Sequence, residues 1–117
     1  MDLIKMTQNG YDAWNRHDID GVLAGYAEAA TYSHPGAGEN LTREAMGNWF
    51  KAVWLAYPDA KARLISTGDT GGALVATRWV FHATNTGTRP DGNPATGHTL
   101  TQRGATFSRF GQKFISD

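Results

Sequence analysis

The chain has 117 residues, 40% of them hydrophobic and 19% charged, which suits one domain with one core and is too little for two. Eleven basic residues balance eleven acidic ones, so composition makes no electrostatic case for nucleic acid or an anionic membrane, and the expected partner is a small hydrophobic or aromatic ligand. The absence of cysteine rules out disulfides and thiolate chemistry. MDLIKMTQNG lacks the charged and apolar regions of a leader, and no stretch approaches the ~20 apolar residues of a membrane span, so a cytoplasmic protein is expected.

Residues 2 to 16 read as a first helix, with Leu3, Thr7, Tyr11 and Trp14 on one side and Gln8, Asp12 and Arg16 on the other. Gly10 weakens it, by roughly 1 kcal/mol against alanine. Either the helix frays there or something approaches the bare backbone. Asp18 is a good N-cap for a short second helix carrying Ile19, Val22, Leu23 and Tyr26. Thr31, Tyr32 and Ser33 then form a strand that ends at His34-Pro35, and GAGEN is expected to be a flexible loop. Thr42 caps a third helix with Glu44 in its first turn, an apolar face of Met46, Trp49, Phe50, Val53, Trp54 and Tyr57, and Pro58 as its stop.

From Ala60 the period changes to two. Residues 60 to 67 form one strand, Gly71-Gly72 after Asp69 a hairpin, and Leu74 to Thr86 the longest strand, whose faces are Val75, Thr77, Trp79, Phe81 and Ala76, Arg78, Val80, His82. A Gly- and Pro-rich connection over 87 to 97 leads to a strand from His98 to Phe110, and a short last strand covers Lys113 to Asp117. This order predicts a single α+β domain over 1–117, with helices on one face of a curved, mainly antiparallel sheet.

The succession Y-x-x-W-N, H-D-I-D-G, A-E-x-A-T-Y and H-P, followed by TGTRPDGNPATGHTL, resembles the nuclear transport factor 2-like superfamily. The likeness is to its SnoaL-like polyketide cyclases and their ketosteroid isomerase relatives, and it extends over nearly the whole chain. The resemblance implies a cone-shaped barrel with three N-terminal helices, a ligand held in its mouth, and cofactor-free acid/base proton transfer next to a carbonyl. It also implies a role for His34. In the resembling steroid isomerases, the matching position of A-T-x-x-x-P carries the aspartate that moves the proton, and an imidazole titrates in the range for such work. The acid/base aspartate of the cyclases lies further along the last strand than GQKFISD reaches, which leaves Asp117 as a second catalytic candidate. Ala29 departs from the acidic pair A-E-D-A-T of many relatives.

Tyr11, Trp14, Trp49, Phe50, Trp79, Phe81 and Phe107 are the candidate substrate-binding residues, because a fold hollow at one end would use part of its aromatic set as pocket walls. Arg78 and Arg103 either point outward or hold an enolate or acid. His34, His82 and His98 lack metal-ligand spacing, so no metal is expected. The competing readings are a non-catalytic ligand-binding or dimerisation module and a water-activating hydrolase or dehydratase. The two-sided long strand and the short last one suggest a homodimer.

Overall fold

The computed structural model describes residues 2–110. Helix α1 (Leu3–Asn15) begins where the Asp2 carboxylate accepts the Lys5 N–H at 2.9 Å, and it runs unbroken through Gly10. A Cβ added at Gly10 would meet nothing within 4 Å, so this glycine neither frays the helix nor admits a neighbour. The helix ends because His17 turns left-handed (φ 57°), which lets its N–H reach the Trp14 carbonyl and the Asp18 N–H reach that of Ala13. Asp18 then caps α2 (Ile19–Leu23) by accepting the Gly21 N–H at 3.0 Å. This helix has five residues, and Tyr26, expected within it, lies beyond its end.

The segment read as a flexible loop is instead half of a hairpin. Strand β1 (Tyr32–His34) pairs antiparallel with β2 (Gly38–Leu41), with Tyr32 opposite Leu41 and His34 opposite Gly38. The left-handed Gly38 (φ 127°) and Asn40 (φ 54°) make the return possible, and the Ser33 hydroxyl accepts the Asn40 N–H. Helix α3 (Arg43–Ala56) starts where Thr42 Oγ1 accepts the Ala45 N–H at 3.1 Å. Arg43 donates back to the Leu23 carbonyl at the end of α2, at 2.6 and 3.2 Å, which locks the two helices together.

Strands β3 (Lys61–Asp69), β4 (Leu74–Thr84) and β5 (Thr99–Arg109) form an antiparallel sheet in that order. The β3–β4 turn uses the glycines anticipated for it. Gly71 and Gly72 both have positive φ, and Asp69 accepts the Gly71 N–H at 2.8 Å. Among the described residues this sheet is open, with β1 and β2 forming a separate pair.

The protein is therefore α+β, three helices with antiparallel sheets. At the edge of β3 beside α1, Asn15 donates to the Ala62 carbonyl at 2.8 Å and accepts its N–H at 2.7 Å, as a neighbouring strand would, and Lys61 Nζ donates to the Asn15 carbonyl. At the far end, buried Asn85 donates to the Ala56 and Gly87 carbonyls and accepts from the Thr96 N–H and hydroxyl. One amide thus ties the long β4–β5 connection to the end of α3, where an unpaired polar group would be costly.

Candidate functional site

The site grows from the alternation of β4 and β5. Val75, Thr77, Phe81 and Ala83 are buried, so they mark the inner face of β4, which Trp79 shares, and the register places Gln102, Gly104, Thr106 and Ser108 opposite them on β5. Gly104 faces Trp79. A Cβ there would fall within 2.8 Å of the indole Cε2 and closer still to Cζ2 and Cη2, so the ring lies across the bare backbone. Trp79 Nε1 donates to Thr106 Oγ1 at 2.9 Å, and the Tyr11 phenol reaches in from α1 near enough to the same hydroxyl for it to lower the phenol's pKa.

The aromatic candidates divide into three sets. Trp14, Phe50 and Phe81 are packing. Trp14 meets the rings of Trp54, Phe81 and Phe50 at 5.5, 6.0 and 6.3 Å, and His17 stacks on Trp54 at 4.9 Å. Half-buried Trp14 packs against these rings, which the wide aromatic stripe of α3 supplies.

The second set is half-buried, as Trp14 is. It comprises Tyr11, Trp79 and Trp49, the last tilted against His34 at 5.5 Å, while Tyr32 stacks on His34 at 6.3 Å. Phe107 stands alone. It pairs with Ala76 on the outer face and is 65% exposed, so register sets it on the far side of the sheet from the other candidates. Asp117 lies outside the described residues, as does the expected last strand.

Burial governs the ionisation here. It pushes the Tyr11 phenol up, partly offset by the Thr106 hydrogen bond, and carries Tyr32 to about 12 with the nearby Tyr11 adding to the effect. Tyr26 is raised further by burial and by both of these phenols. All three are therefore neutral donors at ordinary pH. Burial lowers the His34 pKa, keeping the ring neutral, and its Nδ1 accepts the Gly36 N–H at 2.9 Å. The ring proton accordingly sits on Nε2.

A groove of about 350 Å³ adjoins this set between α1 and β3. It is lined by Gln8, Tyr11, Asp12, Asn15, Ala62, Arg63 and Leu64, a mixed polar and apolar set. Tyr11 is the residue it shares with the aromatic wall. Arg78 and Arg103 are exposed and point outward. Among the described residues no group of three His, Asp or Glu side chains gathers to hold a metal ion.

Sequence reasoning passed over Thr106, Gly104, Tyr32 and Tyr26. A glycine in mid-strand was the available signal for a close approach at 104, but its partner Trp79 emerges only from the register.

No curated protein matches the chain. Many solved structures do. AclR from Streptomyces galilaeus, a proposed hydroxylase, superposes with a TM-score of 0.84 at 21% identity, over 97% of this chain and 70% of its own. IdmH from Streptomyces antibioticus, a proposed polyketide cyclase, gives 0.80 at 22%, over 99% and 88%. A proposed SnoaL-like polyketide cyclase from Jannaschia gives 0.85 at 9%, over 97% and 80%. At these identities the likeness is one of fold, whereas the family model of the SnoaL-like domain matches the sequence itself over residues 7–116, from α1 past the end of β5. The chain belongs to the SnoaL-like domain family.

Proposed function

We propose that this protein is a small-molecule enzyme of polyketide cyclase or ketosteroid isomerase type, transferring a proton next to a carbonyl without a cofactor. The observation that carries the reading is Trp79 Nε1 donating to Thr106 Oγ1, with the Tyr11 phenol beside the same hydroxyl. Thr106 Oγ1 accepts the indole N–H, and its lowering of the Tyr11 pKa is the effect of a hydroxyl whose own proton turns toward the phenol oxygen. That frees the phenolic proton for a ligand. Aimed at a carbonyl oxygen, it would stabilise the negative charge that develops when the adjacent carbon loses a proton. His34, kept neutral by burial, is the candidate base for the proton on that carbon, a role that needs its Nδ1 released from the Gly36 N–H, and Asp117 is the second sequence candidate.

The fold reading that accompanies this is a cone. The three helices and the curved sheet form its walls, it is filled where Trp14, Phe50, Trp54 and Phe81 meet, and an aromatic ligand enters beside Trp49 and Trp79. We place the protein in the cytoplasm and expect a homodimer, because the long strand β4 carries apolar residues on both of its faces. Sedimentation of a 12.7 kDa species alone at micromolar concentration would overturn the dimer.

The test is deuterium exchange at the α-carbon of a cyclic ketone, followed by NMR. Tyr11→Phe and His34→Ala should each slow it by roughly 10²-fold, the scale of one oxyanion donor or one general base. His34→Gln, which offers no basic nitrogen, should lose as much. Unchanged rates in both variants would refute the assignment. Saturable quenching of tryptophan fluorescence by an aromatic ligand, with no exchange in the wild type, would select the non-catalytic binding module instead.

A further inference from the structure

Asn15 shows what the edge of β3 accepts. Its carboxamide donates to the Ala62 carbonyl and accepts the Ala62 N–H, the reciprocal pair that one planar amide can make with one residue of a strand edge. Both polar groups of Ala62 therefore turn away from β4 and toward α1. In an antiparallel ladder that direction repeats at every second residue, so the N–H and C=O of Leu64 turn toward α1 as well. The pairing is regular from Lys61 opposite His82 to Leu64 opposite Trp79, and it shifts only after Leu64.

No side chain among the described residues does for Leu64 what Asn15 does for Ala62. Gln8, Tyr11, Asp12 and Asn15 form one stripe of α1, at i, i+3, i+4 and i+7, and all four line the groove with Leu64. The mismatch of helix and strand rise explains the gap. Leu64 lies ~7 Å along the strand from Ala62, while Asp12 lies ~4.5 Å and Gln8 ~10.5 Å back along the helix from Asn15. The two polar side chains straddle the Leu64 pair, and among the described residues neither is hydrogen-bonded or ion-paired.

We propose that this groove binds a primary carboxamide carried on a small ring. The ligand's carbonyl accepts the Leu64 N–H, one of its N–H groups donates to the Leu64 carbonyl, and its second N–H donates to the Asp12 carboxylate. Tyr11 offers the ring an aromatic wall, and a groove of about 350 Å³ has room for both parts. Arg63 lines the groove too, so charge alone does not turn away a carboxylate ligand. The missing donor does, because it leaves the Leu64 carbonyl unpaired. An ester fails for the same reason. A secondary amide is trans, with N–H and C=O on opposite sides, so it cannot make both bonds to one residue. Binding here does not depend on the ketone reaction proposed for the inner wall.

The probe is benzamide, titrated into isotope-labelled protein and followed by two-dimensional proton–nitrogen NMR. The Leu64 amide should shift downfield saturably. δ-Valerolactam, whose ring locks N–H and C=O on the same side, should move the same signal. N-methylbenzamide and methyl benzoate should bind about tenfold more weakly than benzamide, the scale of one hydrogen bond lost with its acceptor left unpaired. Asp12→Ala should raise the benzamide Kd about fivefold, the scale of one exposed hydrogen bond. The same variant should leave the lactam Kd unchanged, because the lactam has no second N–H. Circular dichroism reports that the variant is folded. In the free protein, the Leu64 N–H should exchange with deuterated water faster than that of Arg63, which points to β4.

Exchange at Leu64 as slow as at Arg63 would overturn the proposal, since that edge position would already be paired. So would a Leu64 signal that benzamide does not move, or N-methylbenzamide binding as tightly as benzamide. Equal weakening of both probes by Asp12→Ala would overturn the role given to Asp12. The readout is the Leu64 amide itself, so the result is independent of the ketone-exchange rate.

Discussion

Gly104→Ala tests the architecture of the inner wall directly. The added methyl would come within 2.8 Å of Trp79 Cε2 and closer to two other ring carbons, so the indole must swing off β5. Its hydrogen bond to Thr106 would break in the process. Forcing a methyl into a packed contact costs about 1–3 kcal/mol, and losing the hydrogen bond about 1 kcal/mol more. Relief of the glycine's own entropy returns roughly 0.5–1 kcal/mol. The net is a loss of about 1–3.5 kcal/mol, which for a chain of this length lowers Tm by roughly 5–15 °C. Thermal unfolding followed by circular dichroism reads the stability, and a red shift in tryptophan emission reads the displaced ring. The decisive measurement is the double variant. With Trp79→Ala already present, Gly104→Ala has nothing to strike and should be neutral or slightly stabilising. If the alanine costs as much in that background as in the wild type, Trp79 does not lie across Gly104 and the proposed wall is wrong.

Asn85→Ala removes four buried or half-buried hydrogen bonds and should cost about 2–4 kcal/mol in chemical denaturation; a loss under 1 kcal/mol would show that the β4–β5 connection is held by other contacts. Thr106→Val removes the group that lowers the Tyr11 pKa, so the phenol should titrate at still higher pH, and an unchanged tyrosine absorbance titration would refute the Tyr11–Thr106 bond. The His34 pKa is depressed by folding from its ordinary 6.5, so its contribution to stability is present above that pH and is lost as pH falls through the folded value. His34→Gln should flatten this part of the pH-stability curve, and an identical curve would place the ring in full solvent.

Much of the fold was legible because its signals are local. Asp18 and Thr42 cap helices through N–H groups three residues away, and the Asp69 turn is closed by the glycine two residues on. The missed strand β2 illustrates the limit. Gly38 and Asn40 read as loop residues by composition, yet their left-handed backbone is what brings Leu41 back beside Tyr32.

The sequence by itself determined the class of the chain, its helix ends, its strand periods and its supply of aromatic and basic side chains. Each of these depends on residues within a few positions of one another. Only the tertiary structure decided what those side chains do. Trp14 and Trp79 are alike on paper, but one is enclosed by three rings and the other lies over a glycine from a strand 25 residues away. Register likewise put Phe107 outside, and it gathered Arg63, Arg78 and Arg103 on one face of a chain whose net charge is zero. Alternation says which residues share a face. Which face meets the helices depends on pairing between distant segments, and no local pattern carries that information.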